Sequence, residues 1–170
     1  HKLFSRDLRF IDAKEANGQK VFWSRGNGWV YSGLTFMLDN VPTWHASYNY
    51  YLNIFMEMTD AVIACCDEKG SWHASMLDPE AYPHPENSAS GFFIHGLAWG
   101  INKGVLDKAT YLPIVEKGWN TLKSYVDENG KLGYVQPIGH APNAIDGNMT
   151  APYGVGAFLL AATEVMKLNK

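Results

Sequence analysis

Asp67-Glu68-Lys69-Gly70-Ser71-Trp72 and, sixty residues on, Asp127-Glu128-Asn129-Gly130-Lys131-Leu132 read as two copies of one acidic-glycine turn. Each copy closes a stretch with helical periodicity and opens a loop rich in proline and aromatics, about twenty residues long. At the same offset Phe93 meets Tyr153 and Gly96 meets Gly156, both pairs at the start of the next helical stretch. A period of this size marks an array of one supersecondary unit. The unit here is helix, turn, long loop, helix. A weaker third copy stands at the front: Asn17-Gly18-Gln19-Lys20 is the turn, the loop runs through Val21-Phe22-Trp23, and a helix follows without a partner ahead of it. The chain thus reads as about two and a half helical hairpins, with its long loops gathered at one end.

Five segments carry the 3.6-residue apolar period, at about 28–38, 47–66, 89–103, 108–126 and 154–167. In the third, Phe93, Leu97 and Ile101 form one stripe and Gly96, Gly100 and Gly104 a second. That glycine stripe permits close helix approach. Short extended pieces are predicted at 20–23 and 132–136. The fold class is all-α.

A chain of 170 residues and 19.0 kDa should fold to roughly 8,400 Å² of surface from about 27,500 Å² unfolded. One domain over residues 1–170 fits that size. At 46% hydrophobic and 18% charged the chain is neither disordered nor supercharged. A net charge of −3 argues against a nucleic-acid partner held by phosphate neutralisation. No apolar run is long enough to cross a membrane. The chain opens on His1 with no basic-then-apolar leader, so a processed, tagged or truncated product is expected. Cytoplasm and periplasm both fit. Cys65 and Cys66 are adjacent, which disfavours a disulfide between them. Aromatics make up 14%, many of them in polar loops, a placement suited to stacking on sugar rings as well as to core packing.

Phe22-Trp23-Ser24-Arg25-Gly26-Asn27-Gly28-Trp29 resembles the W-x-R-G-N-G-W signature of glycoside hydrolase families 105 and 88, the unsaturated rhamnogalacturonyl and glucuronyl hydrolases. Residues 85–93, 98–107, 133–139 and 153–161 are similar to that family's later blocks, in the same order. Asn87 departs from the Thr usual there. The resemblance covers only the C-terminal half of the family's domain. It implies a partial (α/α)6 six-hairpin toroid with its site among the loops at one end. It further implies hydrolysis of oligosaccharides ending in an unsaturated uronic acid, by hydration of the vinyl ether and without metal or organic cofactor. The family's proton-donating Asp is expected ahead of His1, because no acid here matches its motif; this fragment alone is then inactive.

Under that resemblance Arg25, Trp29, Trp23, Tyr82, His84 and Tyr153 are the substrate-binding candidates, an oligosaccharide being the partner. A guanidinium suits planar oxyanions, although an ion pair to a neighbouring hairpin would use the same residue. Trp29 could stack on the unsaturated ring or pack in the core. Asn27 reads as a helix N-cap. Glu86 reads as structural support, bonding loop amides or a helix start. The histidines His73, His84, His95 and His140 show no metal-ligand spacing. Two other readings compete. One is a non-catalytic carbohydrate-binding or structural half-toroid. The other is a different toroid enzyme, a lyase or epimerase working through Glu86 and a His. A half ring would expose apolar flanks at its ends, so a homodimer or a fragment completing the ring is expected.

Overall fold

The computed structural model describes residues 2–168. Among them are five α-helices: α1 Ser24–Asn40, α2 Tyr48–Ala64, α3 Asn87–Asn102, α4 Lys108–Ser124 and α5 Pro152–Leu168. A short 3₁₀ turn at Leu8–Phe10 precedes them. Short links of residues 41–47 and 103–107 join α1 to α2 and α3 to α4, while long loops precede α3 and α5. The accessible surface is 8768 Å², close to the size-based expectation. None of the described helices is long and apolar enough to cross a membrane.

The two acidic turns are superposable in their hydrogen bonding. Asp67 Oδ1 accepts the amides of Lys69 and Ser71, both at 2.8 Å. Asp127 Oδ1 accepts those of Asn129 and Lys131, both at 2.9 Å. In each turn the glycine amide returns to the Asp carbonyl, and Gly70 and Gly130 have φ of 89° and 80°. That left-handed backbone suits glycine. Gly70 has a second constraint, since a Cβ there would lie 3.0 Å from the Gly118 amide on α4. The front copy exists but starts earlier than its sequence suggests: Glu15 occupies the Asp place, and the Gly18 amide donates to its carbonyl at 2.9 Å. The predicted extended pieces at 20–23 and 132–136 form isolated bridges only, such as Trp23 with Ser75 and Val126 with Leu132.

Helices α1, α3 and α5 make one row, and α2 and α4 pack behind it. Every residue of α3 from Asn87 to Ile101 is buried, which explains its run of Gly, Ala and Ser. Small residues let its neighbours close in. A Cβ on Gly96 would fall 2.4 Å from the Tyr31 ring of α1, and one on Gly91 2.9 Å from the Ala157 carbonyl carbon of α5. The third member of the predicted stripe, Gly104, has φ 70°, and a Cβ there would meet nothing within 4 Å. It ends α3 rather than packing. On the outer side Tyr31 stacks on Phe55 of α2 at 4.8 Å, and Trp119 of α4 tilts on Phe158 of α5 at 4.9 Å.

One boundary shifts a predicted role. Helix α1 begins at Ser24, four residues before the apolar periodicity, so Asn27 lies in its first turn instead of capping it. The side chain is used differently. Nδ2 donates to the Trp23 carbonyl at 3.0 Å and to the Phe4 carbonyl at 3.1 Å, while Oδ1 accepts the Phe4 amide at 2.8 Å. Asn27 thus pins the N-terminal segment alongside α1.

Candidate functional site

The N-termini of α1, α3 and α5 meet at the end of the array where the long loops lie. Antiparallel contacts hold those loops together: Ser24 N donates to the Ala74 carbonyl, Met76 N to that of Phe22, and Glu86 N to that of Trp72. Asn87 N, at the start of α3, donates to the Tyr134 carbonyl at 2.9 Å. Tyr134 itself sits at φ 55°, an uncommon conformation for a bulky residue and a local store of strain. It turns the chain so that the next three residues run across the starts of the other two helices.

Arg25 is the centre of this end and is 3% exposed. Its Nη1 donates to the Gln136 carbonyl and lies 3.2 Å from the Tyr153 hydroxyl, and its Nη2 donates to the Pro137 carbonyl at 2.8 Å. The guanidinium carbon lies 4.4 Å from the Trp23 ring centroid and 4.6 Å from that of Tyr153. Flat cations over aromatic faces gain about 0.5–2 kcal/mol, more where water is excluded. The structure therefore brings Trp23, Arg25 and Tyr153 together, as a stacked and largely enclosed group.

Glu86 faces the same arginine with 3.9 Å between Oε1 and Nη1. It is wholly buried and caps α3, Oε2 accepting the Ala89 amide at 2.8 Å. Ser88 Oγ donates to both carboxylate oxygens, and Oε1 also accepts the Gln136 amide at 3.0 Å. Burial pushes this carboxyl above the usual carboxylate range, against the pull of Ser88, Arg25 and the two amides. Both oxygens are occupied by donors from α3 and the last loop, an arrangement that supports structure and leaves neither facing a ligand.

Trp29 lies one turn along α1, 55% exposed, its ring 4.4 Å from that of buried Phe92. It offers the open aromatic face at this end. Beside it Phe4, Ser5, Arg6, Trp23, Gly26 and Val30 line a hollow of about 220 Å³. Arg6 pairs with Asp7 at 2.6 Å. Tyr82 and His84 are set apart. Tyr82 is half-buried and its carbonyl is 2.8 Å from His73 Nδ1; His84 is exposed with its ring 5.6 Å from Tyr134. They line a separate hollow of about 50 Å³ with Ala144 and Ile145. Sequence reasoning missed Gln136. It was legible only as part of the 133–139 block, and its polarity gave no hint that it would be 2% exposed. Cys65 and Cys66 are free thiols. Burial raises them to about 11 and about 12, which makes them poor nucleophiles.

Helical hairpins whose long loops gather at one end define the fold class, part of a helical toroid. The chain belongs to Glycosyl Hydrolase Family 88, whose sequence profile matches residues 2–169. It is 42% identical over 175 residues to the unsaturated 3S-rhamnoglycuronyl hydrolase of Formosa agariphila, an alignment covering 99% of this chain and 46% of the relative. A solved glycosyl hydrolase family 88 structure from Bacteroides vulgatus matches with a TM-score of 0.92 at 39% identity, over 98% of this chain and 49% of that one. A second solved chain, described as a polysaccharide lyase, gives a TM-score of 0.92 at 42% identity over 99% of this chain and 49% of its own. The chain thus spans about half the length of the relatives it matches.

Proposed function

We propose that this chain forms the sugar-facing half of a hydrolase acting on oligosaccharides that end in an unsaturated uronic acid. The observation that carries the reading is the 42% identity, over 99% of the chain, to a relative named for that activity. The geometry supports it with an exposed Trp29 ring for a sugar face. Behind it stands a guanidinium whose charge favours a uronate carboxylate even though its N–H groups are largely taken up by carbonyls. The reaction is hydration of the ring double bond: a proton adds at C4 and water at C5, and the hemiketal so formed opens to a ketone and releases the attached sugar. Glu86 is not the acid, because its oxygens are enclosed and bonded. We place the proton donor outside residues 2–168.

One measurement separates this reading from its rival. The second solved neighbour is described as a lyase, and a lyase creates the unsaturated chromophore that this hydrolase consumes. The vinyl-ether absorbance is followed with a saccharide already cut by a lyase, and with the uncut polysaccharide. The chain alone should leave both unchanged. The chain joined to the remaining half of its Formosa agariphila relative should lose absorbance on the cut saccharide. A rise on the uncut polysaccharide would favour the lyase, and turnover by the chain alone would overturn the placement of the donor. Binding without turnover in the completed ring would favour the non-catalytic reading.

A further inference from the structure

The sequence has three arginines, Arg6, Arg9 and Arg25, and the fold uses each differently. Arg25 is answered on every side. Glu86 stands 3.9 Å from its Nη1, and its N–H groups donate to the Gln136 and Pro137 carbonyls. Arg9 is clamped on Asp7 by two bonds, Nε to Oδ1 at 3.0 Å and Nη2 to Oδ2 at 2.8 Å. Arg6 reaches the same carboxylate by one bond, Nη1 to Oδ2 at 2.6 Å. The Asp7 carboxyl is held far below its ordinary range, with Arg9 as the largest cause and Arg6 the smallest. One negative charge therefore serves two guanidiniums, and Arg9 takes most of it. Among the described residues the Nε and Nη2 groups of Arg6 have no hydrogen-bond partner.

Arg6 is also the one charged residue lining the hollow of about 220 Å³ at the start of α1. The other lining residues are Ser5 and the apolar or small Phe4, Trp23, Gly26 and Val30. Trp23 belongs to two places at once, since its ring lies against the Arg25 guanidinium and also lines this hollow. Along α1, Gly26 and Val30 bracket the exposed Trp29. The segment that carries Arg6 is fixed by this chain itself, through the two bonds between Asn27 and the Phe4 backbone at 2.8 and 3.1 Å. The Arg6 side chain is 37% exposed. A half-buried cation beside apolar walls attracts an anion more strongly than one in open water.

We propose that Arg6 is the specificity-determining residue that contacts an anionic group of the saccharide, and that the hollow takes the sugar bearing it. This rests on the hydrolase reading above and deepens it. The Nε and Nη2 groups of an arginine form one edge, the edge that Arg9 lays on Asp7. On Arg6 that edge is open, and its paired donors match two oxygens of a carboxylate or of a sulfate ester. An acidic oligosaccharide offers such oxygens from two sources, the carboxylate of the terminal uronate and a sulfate ester on the adjoining sugar. Arg25 then shapes this end and lends its charge from behind, while Arg6 makes the direct contact.

Calorimetric titration of the completed ring described above tests it. The probes are uronate-terminated disaccharides, saturated so that they bind without reacting. They are made with and without a sulfate ester on the adjoining sugar, each as the free acid and as the carboxyl methyl ester. Arg6→Gln should raise the dissociation constant about tenfold, the size of one lost charge-assisted hydrogen bond, on every probe carrying the anion that Arg6 meets. On probes lacking that anion the wild type and the variant should agree. An effect that vanishes on the methyl esters assigns the carboxylate, and one that vanishes without the sulfate assigns the ester. Arg6→Lys keeps the charge and should fall between. An equal loss on all four probes, or none on any, overturns the proposal. So does a wild-type ring that binds none of them, and so does a fall in the thermal midpoint with unchanged binding, which makes Arg6 a partner within the ring. Turnover of the unsaturated counterparts by the wild-type ring is followed in parallel. Its absence removes the hydrolase reading and leaves the comparison of dissociation constants to decide the Arg6 contact.

Discussion

The indole N–H of Trp23 donates to Gln136 Oε1 at 2.9 Å across 113 residues of chain. Gln136 uses every polar group it has. Nε2 donates to the Ala141 carbonyl at 2.8 Å, its amide donates to Glu86, and its carbonyl accepts from Arg25 and from the Tyr153 hydroxyl at 2.6 Å. Residues from all three repeats therefore converge on one glutamine. Replacing it with leucine keeps much of the volume but strands the Trp23 indole and the Ala141 carbonyl. Each stranded buried group costs about 1–3 kcal/mol, so Gln136→Leu should lower stability by about 2–4 kcal/mol in urea unfolding. A loss under about 0.5 kcal/mol would show that water reaches both groups.

The α1–α3 crossing rests on Gly96, where a Cβ would lie 2.4 Å from Tyr31. The ring cannot step aside easily, because it is stacked on Phe55 and its hydroxyl is 2.6 Å from Thr59 Oγ1. Gly96→Ala is thus expected to destabilise by about 1–3 kcal/mol, although alanine is the better helix former by about 1 kcal/mol. Comparing unfolding midpoints of Gly96→Ala and the wild-type chain decides which effect wins.

The periodicity and the repeated Asp-x-x-Gly turns made the five helices and their common loop end readable, because both are local signals. Asn27 shows the limit of such signals. Ser, Arg, Gly and Asn carry no apolar period, so the first turn of α1 was invisible, and its helicity comes from burial against the last loop. Arg25 was visible as a functional type of residue. Its enclosure was not, since that depends on Tyr134 turning the chain over it more than a hundred residues later. Tyr82 and His84 were grouped with it by shared loop position alone, and the fold puts them around a different hollow.

His95 gives the fold an acid-sensitive point. It is 3% exposed, with Nδ1 2.9 Å from Ser32 Oγ and its ring stacked on Phe36. Burial lowers its pKa from the ordinary 6.5, partly offset by Glu164 and Asp39 and reinforced by Lys167. A group depressed in this way binds its proton more readily when unfolded, so stability falls as pH drops below 6.5 towards the folded value. The thermal midpoint should fall between pH 7 and pH 5.5 in the wild-type chain, and fall less in His95→Asn. Equal slopes in the two would assign the acid loss to other groups.

Arg25 and Trp29 occupy one helix turn but should respond differently to substitution. Lysine at position 25 keeps the charge, yet it cannot hold the Gln136 and Pro137 carbonyls and stack as a plane between Trp23 and Tyr153. Arg25→Lys should therefore cost about 1–3 kcal/mol of stability and weaken saccharide binding as the last loop loosens. Trp29 is half in solvent, so Trp29→Ala should cost the fold less. If its ring is the stacking face, that change should reduce affinity for a saccharide ending in an unsaturated uronate by about tenfold, a stacking contact of about 1–2 kcal/mol. Calorimetric titration of the two variants in the completed ring, beside their melting curves, separates the roles. Unchanged affinity in Trp29→Ala would move the sugar platform elsewhere, and full stability in Arg25→Lys would free the guanidinium from its supporting role.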